Sequence, residues 1–163
     1  LSQTIVKLAG CASTVLAAVV WGSRRIKAER RRTAELEALC RLVGEIGENI
    51  AHFGTPLPEI YSGYSDDSLD GCGFLSLLRE RGMTAALDAH LLTQSDDVTA
   101  ILYRFSHSLG GGDRTEQTEL CEYTKKRLSE ALAVRKSESR DKEKLWRTCP
   151  VLIALAAILL VIQ

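Results

Sequence analysis

The chain is 163 residues long, about the size of one domain, with 21 basic and 21 acidic residues and no formal net charge. That balance gives no electrostatic footprint for nucleic acid. An aromatic content of 6% and three prolines, among abundant Leu, Ala, Glu and Arg, favour helix over sheet.

Charge is segregated along the chain. The first 23 residues hold only Lys7, and the last 16 hold none. "LAGCASTVLAAVVWG", Leu8 to Gly22, is uncharged, and with Leu1 to Val6 it approaches the length of a membrane-spanning helix. Lys7 can snorkel from one end, and Trp21 suits the interface at the other. A cleaved signal peptide is the competing reading, but no A-x-A site follows the apolar run. Arg24, Arg25, Lys27, Arg30, Arg31 and Arg32 come instead, a signal that holds this side in the cytoplasm. Leu1 in place of Met fits a non-standard start codon or an anchor that begins upstream.

From Glu29 to Phe53 the apolar residues Leu36, Leu39, Leu42, Val43, Ile46, Ile50 and Phe53 recur in steps of three and four, one face of a helix. Gly44 and Gly47 within it suit close approach of a neighbouring helix. The stretch Thr55, Pro56, Leu57, Pro58, Glu59 then reads as a stiff corner. Gly54 ends the first helix, Thr55 is placed as the N-cap, Pro56 at the first helical position and Pro58 at the third, where missing donors cost little. Glu59 favours the positive helix end, and Leu57 and Ile60 turn inward.

"YSGYSDDSLDGCG" reads as a loop. "FLSLLRERG" predicts a short helix stopped at Gly82, and "MTAALDAHLLTQ" a second one that includes His90, with Thr84 as its cap. Ser95, Asp96 and Asp97 start a helix whose buried stripe is Val98, Ile101, Leu102, Phe105 and Leu109. Gly110, Gly111 and Gly112 end it. Asp113 and Glu116 form a capping box for a last helix that meets no Gly or Pro before Pro150. Unbroken, it would approach a length of about 75 Å. "TCPVLIALAAILLVIQ" closes the chain as a second anchor, flanked by Lys142, Lys144 and Arg147 on the cytoplasmic side.

The expected organisation is an N-terminal transmembrane anchor over 1–23, a cytoplasmic helical bundle over 24–147 and a C-terminal anchor over 148–163. The expected fold class is all-α, a small antiparallel bundle between the two transmembrane helices, with both termini outside.

Candidate chemistry is sparse. "GGGDR" lacks the GK[ST] ending and the preceding strand of a phosphate loop, so it reads as a helical hairpin turn. His52, His90 and His107 show no metal or base spacing. Asp66–Asp67 and Asp96–Asp97 are neighbours whose side chains diverge, so they read as caps and solvated loops. Cys11, Cys40, Cys72, Cys121 and Cys149 lack CxxC spacing and read as buried or lipid-facing thiols. No enzyme activity, cofactor or metal is expected.

"KLAG" in the first anchor, "TPLPE" at Thr55 to Glu59, and "FSHSLGGGDRTEQ" before a long charged helix resemble the stage III sporulation protein AB family of endospore-forming bacteria. In the third motif Ser108, Leu109, Gly110, Asp113 and Gln117 carry the likeness. The resemblance covers essentially the whole chain. It implies a cytoplasmic domain like that of the F-type platform protein of type II secretion and type IV pilus systems. It also implies a place in the mother-cell membrane around the forespore, in a complex that builds a channel between the two compartments. A secretion-type ATPase, other membrane subunits and the bilayer are the implied partners. A homo-oligomer is an open alternative, and nucleic acid is not expected. The implied function is a non-catalytic scaffold, with a membrane-anchored helical signalling adaptor as the alternative.

Overall fold

The computed structural model describes the backbone of residues 2–162 and the side chains of residues 20–141. Among the described residues every regular element is helical. In chain order these are α1 (Ser2–Phe53), α2 (Leu57–Gly63), α3 (Asp67–Asp70), α4 (Phe74–Asp88), α5 (Asp96–Ser108) and α6 (Arg114–Ile162). The chain divides into two compact units, Arg31–Arg135 and a second made of Leu1–Arg30 with Lys136–Gln163. Among the described residues no helix is long and apolar enough to cross a membrane. The predicted anchors over 1–23 and 148–163 lie outside the described side chains, apart from Val20 to Ser23.

The unit Arg31–Arg135 has a conventional apolar core. Leu36, Leu39, Leu42, Val43 and Ile46 of α1 are fully buried, as the spacing predicts. They pack with Phe74, Leu75 and Leu78 of α4 and with Leu102 and Phe105 of α5. Each such side chain contributes roughly 1.5–3 kcal/mol by leaving water. Burial fades along the α1 stripe through half-buried Ile50, and Phe53 is 78% exposed. The expectation that Phe53 belongs to the inward face is therefore corrected: its register is right, but the core ends before it.

Three local expectations also change, and the break at Gly82 holds. The stretch read as a loop after the corner is largely helical, since α2 extends to Gly63 and Asp66 caps the short α3 by accepting a hydrogen bond from the Ser68 N–H at 3.0 Å. Leu69 of α3 is fully buried and supplies the apolar anchor that a loop would lack. The two short helices expected around Gly82 are present: α4 is two helical segments that meet at a kink at Gly82, where φ is +84° and ψ 178°. Only Gly adopts that conformation at little cost. Thr84 lies inside the second half and does not cap it. His90 lies beyond α4, exposed, with φ +50°.

In α6 the buried face is Gln117, Cys121, Thr124 and Leu128. Three of these four are not classed as strong hydrophobes, so the stripe is nearly silent to a hydrophobicity scan. It matters because of what faces it. A Cβ built on Gly47 of α1 would lie 2.9 Å from Cys121 Cβ, closer than carbon atoms approach without a shift. Gly47 therefore lets α1 and α6 pack at short range. A Cβ on Gly44 would meet only the flexible end of Lys125, at 3.3 Å.

The two glycines separate in their expected behaviour. Gly44→Ala gains helix propensity and should stabilise by up to about 1 kcal/mol. Gly47→Ala forces α1 and α6 apart and should destabilise by about 1–3 kcal/mol. Urea unfolding followed by far-UV circular dichroism distinguishes them, and shifts of one sign for both variants contradict the close approach.

Candidate functional site

The two sequence motifs meet in space. Leu57 is partly buried against the core, and its Cδ1 lies 3.7 Å from where a Cβ on Gly110 would stand. The proline corner therefore packs on the turn between α5 and α6. The start of α2 is shifted by one residue from expectation. Pro56, with φ −61° and ψ 141°, is the N-cap, Leu57 begins the helix and Pro58 is second. Thr55 stands before the cap and does not make it. A ring at either position costs no helical hydrogen bond, so proline chemistry alone could not choose between the registers. Glu59 is exposed in the first turn, and Ile60 is buried.

The α5–α6 turn is held by one side chain. Gln117 is 7% exposed, and its Oε1 accepts a hydrogen bond from the Gly110 N–H at 2.8 Å. Its Nε2 donates to the carbonyl oxygens of Ser108, at 3.3 Å, and of Gly111. Leu109 packs against the core beside this staple, and Gly110 takes φ +88°. Asp113 Oδ1 accepts from the Glu116 N–H at 2.8 Å, and Glu116 Oε2 accepts from the Asp113 N–H at 3.3 Å, so the capping box is reciprocal. Thus Ser108, Gly110, Asp113 and Gln117 work in one turn.

Sequence reading missed the next residue. The Arg114 guanidinium donates from Nε to the Ile50 carbonyl at 2.7 Å and from Nη2 to the Ala51 carbonyl. These are among the carbonyls that a helix end leaves without intrahelical donors. Arg114 thereby ties the end of α1 to the start of α6 and closes this end of the bundle. No local pattern announces it, because the partners are 63 and 64 residues apart.

A second polar cluster was also missed. Glu35 is fully buried on the core face of α1. Its carboxylate accepts from Arg31 Nε at 3.0 Å, from the Thr93 N–H at 2.9 Å, from the Thr93 hydroxyl at 2.7 Å and from Gln94 Nε2 at 3.2 Å. Gln94 Nε2 also donates to the Arg32 carbonyl at 2.9 Å, and Arg135 Nη1 donates to Gln94 Oε1 at 2.9 Å. One carboxylate thus gathers α1, the connection between α4 and α5, and α6. Burial pushes the Glu35 carboxyl pKa up, but the hydrogen bonds from Thr93, Arg31 and Gln94 outweigh it and leave the value below 4.5.

Of the predicted topology charges, Arg24, Arg25, Lys27 and Arg30 are exposed, with the Arg25 guanidinium 5.3 Å from the centre of the Trp21 ring. Arg31 pairs with Glu35, and Arg32 gives its carbonyl to Gln94. Lys142, Lys144 and Arg147 lie outside the described side chains. Among the cysteines, Cys121 is buried, and that burial pushes its thiol pKa up to about 11, which keeps it protonated and unreactive.

A groove of about 520 Å³ runs between α5 and α6. Its floor includes Phe105 and Thr124, and its lip carries Tyr123 and Val134, which are 55% and 59% exposed.

A family model described as stage III sporulation protein AB matches residues 7–162. The chain belongs to that family. No match is found among curated proteins or among solved structures. In this stage III sporulation protein AB family member, the motifs at Thr55 to Glu59 and Ser108 to Gln117 form one closed end of the bundle. They are cap, staple and corner.

Both polar clusters have measurable weight. Gln117→Ala strands buried turn groups and should cost about 1–3 kcal/mol. Glu35→Gln should cost a similar amount at neutral pH. Because the Glu35 pKa is depressed in the fold, its stabilisation is complete above about 4.5 and fades as pH falls through the lower folded value. The gap between the native chain and Glu35→Gln in urea unfolding should therefore narrow on acidification. A gap that widens with acid contradicts an ionised Glu35.

Proposed function

We propose that this stage III sporulation protein is a non-catalytic platform subunit of a secretion-like channel complex between mother cell and forespore. Its two apolar ends anchor it in the mother-cell membrane, and residues 24–147 stand on the cytoplasmic side and dock a partner ATPase. The observation that carries the reading is the extent of the family match. It runs from the first apolar end, through the helical bundle, into the second.

Three features support the reading. The apolar ends are flanked inward by Arg24, Arg25, Lys27 and Arg30 on one side and by Lys142, Lys144 and Arg147 on the other, as the positive-inside rule requires of a cytoplasmic middle. The described bundle is all-helical, as are the cytoplasmic domains of the F-type platform proteins that the family resembles. Its buried Glu35 and Gln117, with Arg114 and the Asp113–Glu116 box, serve as ties, staple and cap between helices, which suits a part whose task is to hold shape under a partner.

Isolation of the tagged full-length protein from sporulating cells tests this. Recovery of a secretion-type ATPase with other membrane subunits is the expected result. Recovery of a kinase or a transcriptional regulator in their place would favour a signalling adaptor and count against the platform.

A further inference from the structure

Topology needs only the sign of the charges beside an apolar end, and the first apolar end carries a more specific arrangement. From Val20 to Ala28 the chain has three cations and no acid, and Glu29 is the first acid in the sequence. Arg24, Arg25 and Lys27 are exposed, and neither Arg24 nor Lys27 makes an ion pair among the described residues. Buried Gly22 marks the inward side of α1, and the three cations spread over the outward side. Trp21 is 53% exposed one turn before Arg25, and the Arg25 guanidinium lies 5.3 Å from the centre of its ring. A guanidinium stacked in this way has its face occupied and its N–H edge open, the edge that forks onto a phosphate. In α6, Arg140 is exposed and also without an ion pair among the described residues, and Lys142, Lys144 and Arg147 follow in the sequence before the second apolar end. Both segments belong to one compact unit.

We propose that this basic collar is a binding surface for anionic phospholipid headgroups, with Arg24 and Arg25 taking the phosphate nearest Trp21. The inference rests on the membrane anchoring of the proposed function and adds the class of lipid. The cations begin within one turn of an exposed tryptophan at the end of an apolar run, which is the depth of lipid phosphates rather than of a protein standing off the membrane. Arginine supplies two of the first three charges, and its planar fork matches a phosphate where an ammonium offers a point charge. Zwitterionic lipids also carry a phosphate, but the collar repels their terminal cation, so the preference falls on lipids with net negative charge. The absence of any acid from Val20 to Ala28 leaves that attraction unopposed along the segment.

Trp21 can report on the lipid beside it, because the chain has two tryptophans and Trp146→Phe leaves Trp21 alone. The full-length protein with that change is reconstituted in phosphatidylcholine vesicles. A minor fraction of either phosphatidylcholine or phosphatidylglycerol carries bromines at shallow acyl positions, which quench tryptophan fluorescence. Phosphatidylglycerol should occupy the sites that quench Trp21 with about fivefold the affinity of phosphatidylcholine. Arg24→Gln with Arg25→Gln in the same background should bring that ratio to about one, while quenching by brominated phosphatidylcholine persists and shows that the variant still inserts. A ratio near one with the native arginines overturns the proposal and leaves the anchoring intact; the collar then serves topology or an acidic protein partner. A preference unchanged by loss of both arginines overturns it as well. Absence of quenching by either lipid overturns the anchoring together with the proposal.

Discussion

A buried carboxylate that must find donors organises this bundle. Glu35 sits among apolar neighbours on α1, where an unpaired charge would cost several kcal/mol. Its donors come from Arg31 one turn earlier and from Thr93 and Gln94, which are 58 and 59 residues away. The connection between α4 and α5 is therefore pinned at the point where α5 is about to start. Gln94 passes the tie on to Arg135 in α6. Apolar packing alone tolerates small slides of one helix along another. Directional bonds to a single carboxylate do not.

The opposite constraint acts at the α5–α6 turn. Gln117 fills the turn from inside, Leu57 packs on Gly110, and Arg114 takes the Ile50 and Ala51 carbonyls in the last turn of α1. Between the two polar clusters, Gly47 lets α1 and α6 approach closely at Cys121. A similar logic governs the smaller helices. Arg79 of α4 donates to the Tyr64 carbonyl at 2.7 Å, while the Tyr64 hydroxyl donates to the Ala38 carbonyl at 3.0 Å. The Arg41 and Asp66 side chains pair at 2.5 Å and tie α1 to the cap of α3. The result is a set of helices whose register is set by side chain to main chain bonds. The α5–α6 groove inherits its shape from both clusters.

Much of the fold was legible in the sequence because helices announce themselves locally. The stripes of α1 and α5 follow from apolar spacing, and the Asp113–Glu116 capping box follows from residues three apart. The wish of Gly44 and Gly47 for a neighbour was legible too, though not which neighbour. What stayed hidden falls into two kinds. One is the buried face of α6, which begins with Gln117, Cys121 and Thr124 and so lacks a hydrophobic signature. The other is long-range pairing, such as Glu35 with Thr93 and Arg114 with Ile50, which no periodicity encodes. The single-residue shift at Pro56 has a third cause, since a proline ring costs no helical hydrogen bond either as the cap or as the first helical residue. The two motifs of the candidate site were visible as words, but their contact through Leu57 and Gly110 required the folded chain.

On the proposed platform reading, the value of such ties is that the surface offered to partners stays fixed while other parts of a complex work. The most direct measurement is amide hydrogen exchange at Thr93 in the native full-length protein at neutral pH. Thr93 lies in an exposed connection with no helix to protect it, so only its bond to Glu35 can slow exchange. Protection approaching that of the core helices is the predicted result. Exchange at the rate of an open loop would contradict the organising role of the Glu35 carboxylate.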